Sequence, residues 1–278
     1  MTDFEMGPAI LFCPADRPDR YRKAAERADA VILDLEDAVA PADRAAARDA
    51  VIGHPLDPAR TMVRVNAVGT ADHALDLAAV GRSGYRTIML AKAEDARAVQ
   101  GLGEYAVVAL CETARGVLHA AQLAGCANVT ALMWGAEDLV ASLGGSSSRL
   151  ESGTYRDVAR QARSQVLLAA GAHRKAAIDS VYIDIPDLDG LAAEAEDAAA
   201  SGFAAKAIIH PSQADVVRGA YRPGQAEADY AAALLAAAAN EPGAFRFRGK
   251  MIDGPLLKHA ELTLRRARQM SSQPPVRR

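Results

Sequence analysis

The chain alternates between short, almost wholly apolar runs and longer alanine-rich segments with charges at helical spacing. Runs of the first kind are AILFC (9–13), AVILDL (30–35), TMVRVN (61–66), TIMLA (87–91), AVVALC (106–111), TALMW (130–134), SVYIDI (180–185) and KAIIH (206–210). Apolar character this continuous over so short a length predicts strands covered on both faces, as in a parallel sheet. The segments between them, such as DRYRKAAERA (19–28), PADRAAARDAVI (41–52) and GLAAEAEDAAASG (190–202), read as helices. Eight strands alternating with helices predict an α/β fold of the (β/α)8 TIM barrel type, in preference to an open doubly wound sheet. No GxGxxG follows the first strand and no GxxxxGK[ST] occurs, so the usual nucleotide-fold reasons for the open sheet are missing.

The interval between the sixth and seventh runs is longer than the others. It holds the Gly/Ser segment SLGGSSSRLESGTY (142–155) and a long helical stretch, RDVARQARSQVLLAAGAHR (156–174). The segment reads either as a loop that closes over a ligand or as an ordinary exposed connection. Beyond the eighth run, DYAAALLAAAANE (229–241) and GAFRFRGKMIDGPLLKHAELTLRRARQ (243–269) keep a helical rhythm that a minimal barrel does not need. The expectation is one domain over 1–278, with the barrel to about residue 225, a C-terminal helical extension over about 226–270, and a disordered end, SSQPPVRR.

Composition narrows the function classes. The net charge is −3 with no long block of either sign, which argues against nucleic acid as a partner. Three cysteines, Cys13, Cys111 and Cys126, show no CxxC spacing and imply reduced thiols, not a disulfide framework or a zinc ribbon. The N-terminal stretch lacks the pattern of a secretory signal, and no apolar run approaches the roughly 20 residues needed to span a bilayer. The expected setting is cytoplasmic, with no membrane partner.

Candidate chemistry gathers at the strand ends, which face the active site in a barrel. The second strand ends in Asp34, Glu36 and Asp37, and the third carries Arg64 and Asn66. Lys92 and Glu94 follow the fourth, Glu112 the fifth, and Glu137 and Asp138 the sixth. An isolated acid there is usually a helix cap, but acids repeated around one rim repel each other unless a cation offsets them. With oxygen donors and no HxH or HExxH, the set favours Mg2+, with Mn2+ as the other possibility, over zinc. Glu112 and Asp138, on neighbouring strands, suit a metal that takes two protein carboxylates and leaves other positions to substrate and water. Arg64 offers a fork for a carboxylate, and is also readable as an ion-pair partner of Glu36. Gly135 and Ala136 leave room for a substrate carboxylate at a helix start, where Glu137 also reads as a solvated first-turn acid. The set describes a pocket for a keto acid or hydroxy acid chelated to the metal.

The segments LFCPADRPDRYRKA, VILDLEDAVAPADRAAAR, VRVNA, LCETARGV, WGAEDL, IHPSQ and MIDGP, in that order, resemble the citrate lyase β-subunit-like (CitE-like) family of the HpcH/HpaI aldolase group. The likeness runs from about residue 9 to about residue 266. It is nearest to the stand-alone members of the citramalyl-CoA lyase and malyl-CoA lyase type. The resemblance implies Glu112 and Asp138 as magnesium ligands and Arg64 as holder of the keto-acid carboxylate. It also implies substrate contacts from the backbone of Gly135, Ala136 and Glu137, and places Arg17 and Lys23 in the region that binds coenzyme A. Asp253 of MIDGP is implied as an acid lent by a neighbouring subunit's C-terminal segment, acting on the acyl-CoA carbon, so a homo-oligomer, trimer or hexamer, is expected. Where many relatives have proline before Lys92, this chain has Ala91.

The implied reaction is a magnesium-dependent retro-aldol cleavage of a β-hydroxyacyl-CoA to acetyl-CoA and a keto acid such as pyruvate. A metal-bound water held by Glu36 or Asp37 is the candidate base for the hydroxyl proton. Two other readings stay open: the β-subunit of a citrate lyase complex, converting a citryl carrier to oxaloacetate, and a non-catalytic scaffold barrel.

Overall fold

The computed structural model describes residues 4, 6–239, 241 and 243–271; the expected disordered end therefore lies, beyond residue 271, outside the described residues. Eight parallel strands close into a barrel in chain order: β1 (Ala9–Pro14), β2 (Ala30–Asp34), β3 (Thr61–Val65), β4 (Thr87–Leu90), β5 (Ala106–Cys111), β6 (Val129–Trp134), β7 (Ala176–Asp179) and β8 (Ala205–Ile208). β8 pairs back onto β1, with Ile10 opposite Ala207. Around them run α1 (Pro18–Arg27), α2 (Arg44–Gly53), α3 (Ala71–Arg82), α4 (Ala96–Gln100), α5 (Ala114–Leu118), α6 (Ala120–Ala124), α7 (Ala136–Ser142), α8 (Asp157–Ala172), α9 (Leu188–Ser201) and α10 (Ala214–Tyr221). The chain forms a (β/α)8 TIM barrel.

Strand alternation sets what fills it. Ile10, Ile32, Met62, Met89, Val108, Leu110, Met133 and Ile178 form the core with the small Ala30, Ala131, Ala176, Ala205 and Ala207. Where a strand contributes two of these, they lie two residues apart, the period of a side chain pointing to one face. The residues between them, such as Leu11, Val31, Leu33, Val63 and Ile88, are equally buried, because the helices cover the outer face. This double burial produces the unbroken apolar runs.

One strand departs from expectation. The seventh is AAID (176–179), not SVYIDI (180–185), which leaves the barrel as a loop with Ile183 and Ile185 exposed. Half of its residues are alanine, which carries little strand propensity, and it ends on a charged residue, so the sequence signal fell on the β-branched stretch next to it.

The chain forms two compact units, one up to Val217 and one from Arg218 onward, the boundary falling within α10. The second contains α11 (Gln225–Ala238), β9 (Phe245–Phe247), β10 (Lys250–Ile252) and α12 (Gly254–Ser271). β9 and β10 form an antiparallel hairpin turned by Arg248 and Gly249, both at positive φ as a tight two-residue turn requires. Ala231, Leu234, Ile252 and Ala260 form its small core, with Tyr230 and Phe247 edge to face at 5.6 Å. No helix among the described residues is long and apolar enough to cross a membrane.

Candidate active site at the C-terminal rim

The inward alternation continues one step past the core, and that step changes the chemistry. Two residues beyond Ile10, Ile32, Met62, Leu110, Met133, Ile178 and Ala207 stand Phe12, Asp34, Arg64, Glu112, Gly135, Ser180 and Ile209. With Glu137 and Asp138 from the start of α7, they line a cavity of about 210 Å³ at the strands' C-terminal ends. The fold thus converts a period of two along separate strands into one ring of polar groups on an apolar floor.

Arg64 is buried, and its Nε and Nη2 donate to the two carboxylate oxygens of Asp34 at 2.7 and 2.6 Å. Its Nη1 lies 3.1 Å from Glu36 Oε2, and the guanidinium sits 4.9 Å from the Phe12 ring centroid. Burial opposes the charge, but Asp34 and Glu36 outweigh it and hold the group above its usual basicity. Asp34 is opposite Arg64 in the β2–β3 register, so this clamp follows from strand pairing. Both readings of Arg64 fit: it pairs with acids and it faces the cavity.

Glu112 is buried, with Oε1 accepting the Lys92 backbone N–H at 3.0 Å. Burial first, then the charge of Asp138, pushes its carboxyl up to about 8, against the pull of Arg64. Gly135 packs directly on it: a Cβ there would stand 2.7 Å from Glu112 Cβ and 3.0 Å from Oε2. Asp138, in the first turn of α7, is more exposed. Among the described residues no three His, Cys, Asp or Glu side chains are arranged to hold a metal by themselves. Two facing carboxyls, one of them buried and held above its ordinary range, fit a hard divalent cation that takes its other ligands from substrate and water.

A second group of charges borders the cavity. The Lys92 ammonium donates to Glu36 Oε1, stands 3.3 Å from Asp37 Oδ2, and lies 3.7 Å from Asp138 Oδ1. Burial pushes Glu36 above the usual carboxylate range despite Arg64 and Lys92. Burial would raise Asp37 too, but Lys92 outweighs it and holds the group low.

The segment 135–138 divides its work. The Ala136 N–H donates to Ser180 Oγ at 3.3 Å, and Glu137 Oε1 accepts from Ser148 Oγ at 2.6 Å. The Glu137 carboxylate therefore pins the Gly/Ser loop to the rim. Behind the segment, Trp134 Nε1 donates to Asp179 Oδ1 at 2.7 Å, which also accepts Arg163 Nε at 2.9 Å. Asp179 Oδ2 and Glu194 Oε1 take the fully buried Lys206 ammonium at 2.9 and 2.8 Å. This network lies on the outer face of β6–β8, against α8 and α9.

Arg17 and Lys23 stand outside the cavity lining: Arg17 pairs with Asp19 at 3.0 Å ahead of α1, and Lys23 is exposed on that helix. Asp253 belongs to the second unit, where it is exposed and its carbonyl accepts the Leu257 N–H at the start of α12. The three thiols are buried and free, and burial pushes Cys13 up to about 11 and Cys111 up to about 12. Sequence reasoning placed Asp34 and Lys92 at the strand ends that face the site but gave them no role, and it did not single out Ser180. The strand parity just described was the available signal for Asp34 and Ser180.

The chain matches the HpcH/HpaI aldolase/citrate lyase family over residues 9–211. It is 55% identical over 267 residues to a citrate lyase subunit beta-like protein of Mycobacterium tuberculosis, covering 96% of this chain and 98% of that one. It is 31% identical to the mitochondrial citramalyl-CoA lyase of Mus musculus, covering 91% and 83% respectively. Among solved structures, CitE from Mycobacterium tuberculosis in complex with magnesium, acetoacetate and coenzyme A aligns with a TM-score of 0.90 and 56% identity, over 94% of this chain and 98% of that chain.

Proposed function

Because the chain belongs to the HpcH/HpaI aldolase/citrate lyase family, we propose that it is a magnesium-dependent carbon–carbon lyase that cleaves a β-hydroxyacyl-CoA of the citramalyl or malyl type to acetyl-CoA and a keto acid such as pyruvate. The observation that carries this reading is the meeting of Arg64, Glu112 and Asp138 at one small cavity on the barrel's C-terminal rim. A relative 56% identical binds magnesium, an acetoacetate and coenzyme A, which supports the same ligand classes here.

Glu112 and Asp138 would hold the magnesium, which supplies Lewis acidity toward the substrate's carboxylate and hydroxyl oxygens. Arg64, already oriented by Asp34, clamps the carboxylate and offsets negative charge as the bond breaks. Gly135, Ala136 and Glu137 contribute backbone to that end of the substrate, with Ser180 exchanging its bond to the Ala136 N–H. Glu36 and Asp37 take up the hydroxyl proton through water; the raised affinity of Glu36 for a proton suits it to this. The C–C bond next to the carbinol carbon then breaks, its electron pair passing to the α-carbon of the thioester. Asp253, from a neighbouring copy, protonates that carbon and completes acetyl-CoA. Arg17 and Lys23 hold the nucleotide end of the coenzyme.

Leu110, Met133, Val181 and Ile209 form an apolar wall of the cavity. They favour a methyl or hydrogen on the reacting carbon over the second carboxymethyl group of a citryl substrate, and so favour the stand-alone reading over a citrate lyase subunit. The test is to incubate the purified chain and Mg2+ with (S)-citramalyl-CoA, malyl-CoA and citryl-CoA and follow acetyl-CoA by chromatography. Release from citramalyl-CoA or malyl-CoA supports the reading. Release from citryl-CoA or a citryl carrier protein alone moves the assignment to the subunit, and no release from any of them overturns it.

A further inference from the structure

Among the described residues, three other than glycine hold a left-handed backbone: Lys92, Arg174 and Arg248, with φ of 48°, 57° and 46°. Arg248 occupies the β9–β10 turn and Arg174 follows the C-terminus of α8, both places where that conformation is ordinary. Lys92 lies in the turn that directly follows β4. It follows a barrel strand whose alternation makes Met89 and Ala91 inward, so a regular continuation would turn Lys92 toward the helices. Strain of this kind persists only where the surroundings enforce it. What it achieves is a residue that touches four acids. The N–H holds Glu112, and the ammonium reaches Glu36, Asp37 and Asp138.

Resting on the reading that Glu112 and Asp138 hold a divalent cation, we infer that Lys92 is a positioning residue that reserves Glu36 and Asp37 from that cation. Asp34 and Glu36 already occupy Arg64, and the Lys92 ammonium is the positive charge among the described residues that also reaches Asp37 and Asp138. Glu36 and Asp138 are within reach of that one ammonium, and so of one ion placed between them. With the ammonium on Glu36 and Asp37, two carboxyls are left for the cation, and its remaining coordination positions go to water and substrate. Without it, Asp37 and the Oε1 of Glu36 lose their counter-charge and are free to turn toward the ion and add oxygen ligands. Added carboxylate ligands suit calcium, which accepts many oxygens, better than magnesium, which demands a tight octahedron and keeps its waters.

The experiment is calorimetric titration of the substrate-free protein with Mg2+ and with Ca2+, comparing wild type with Lys92→Met, Lys92→Gln and Lys92→Arg, each shown to be folded by circular dichroism. Lys92→Met should tighten Ca2+ binding by roughly tenfold more than Mg2+ binding, because freed carboxylates add ligands that only calcium can use. Lys92→Gln, which keeps a donor for Glu36 but no charge, should shift selectivity the same way and answers the question if the methionine variant does not fold. Lys92→Arg should leave the ratio near that of wild type. Equal tightening of both ions would mean that charge alone acts, and unchanged or weaker binding would mean a structural role; either overturns the inference. A wild-type protein that takes up neither ion instead removes the cation seat on which the inference stands.

Discussion

At the scale of single residues, the contact between Gly135 and Glu112 fixes where the carboxyl proposed to hold the cation points. A methyl group at 135 would meet Glu112 Cβ and Oε2 well inside ordinary contact distance, so the carboxyl must swing away. Gly135→Ala should therefore weaken Mg2+ binding by roughly tenfold or more while the barrel still folds, since one displaced ligand of two is at stake. Calorimetry and far-ultraviolet circular dichroism check both halves, and unchanged affinity would contradict the packing argument. Arg64, Glu112 and Asp138 were legible in the sequence because charge at a strand end is conspicuous. Asp34 was visible but unassigned, since its role depends on the register that sets it opposite Arg64. Lys92 could be seen but not understood: its reach depends on a left-handed backbone that lysine does not signal.

At the scale of elements, the strand that sequence reasoning misplaced also carries the least expected chemistry. Asp179, the last residue of β7, is fully buried against Trp134, Arg163 and Lys206 on the outer face of the barrel. Reading the strand as 180–185 leaves Asp179 outside it and hides its position directly opposite Lys206 in the β7–β8 register, where the two are buried partners. Burial by itself would raise the Asp179 carboxyl, but Lys206 and Arg163 outweigh it and hold the group below the ordinary value of 3.8. A depressed folded value gives stability that is present above 3.8 and lost as the pH falls below it through the folded value. Asp179→Asn leaves Lys206 and Arg163 without their shared charge and should cost about 3–5 kcal/mol at neutral pH. The variant should also lose less stability than wild type between pH 4 and acid unfolding, a comparison that urea titrations at several pH values provide. A cost under about 1 kcal/mol would mean that the network is solvated in practice.

At the scale of the whole molecule, seven of the eight barrel strands were legible because parallel strands buried on both faces leave continuous apolar runs, whereas the helical rhythm beyond the barrel suggested an extension of one domain from about residue 226 and the compact second unit begins at Arg218. The purpose of that unit is not written in such patterns. Asp253 is exposed at the start of α12, and its proposed role requires another copy of the chain. Co-expressing Asp138→Ala with Asp253→Asn tests this. In mixed closed oligomers, roughly a quarter of the sites combine an intact metal seat with an intact lent aspartate, so about that fraction of activity should return. No recovery would mean that Asp253 serves its own chain or none. The central claim, that Glu112 and Asp138 hold the magnesium of an acyl-CoA lyase, is tested most directly by stripping the protein with EDTA and following (S)-citramalyl-CoA as Mg2+ is restored. The account predicts that acetyl-CoA and pyruvate appear only after Mg2+ returns, and that Asp138→Ala stays silent at the same Mg2+ concentration. Cleavage that persists without the metal, or that survives in full in Asp138→Ala, would contradict it.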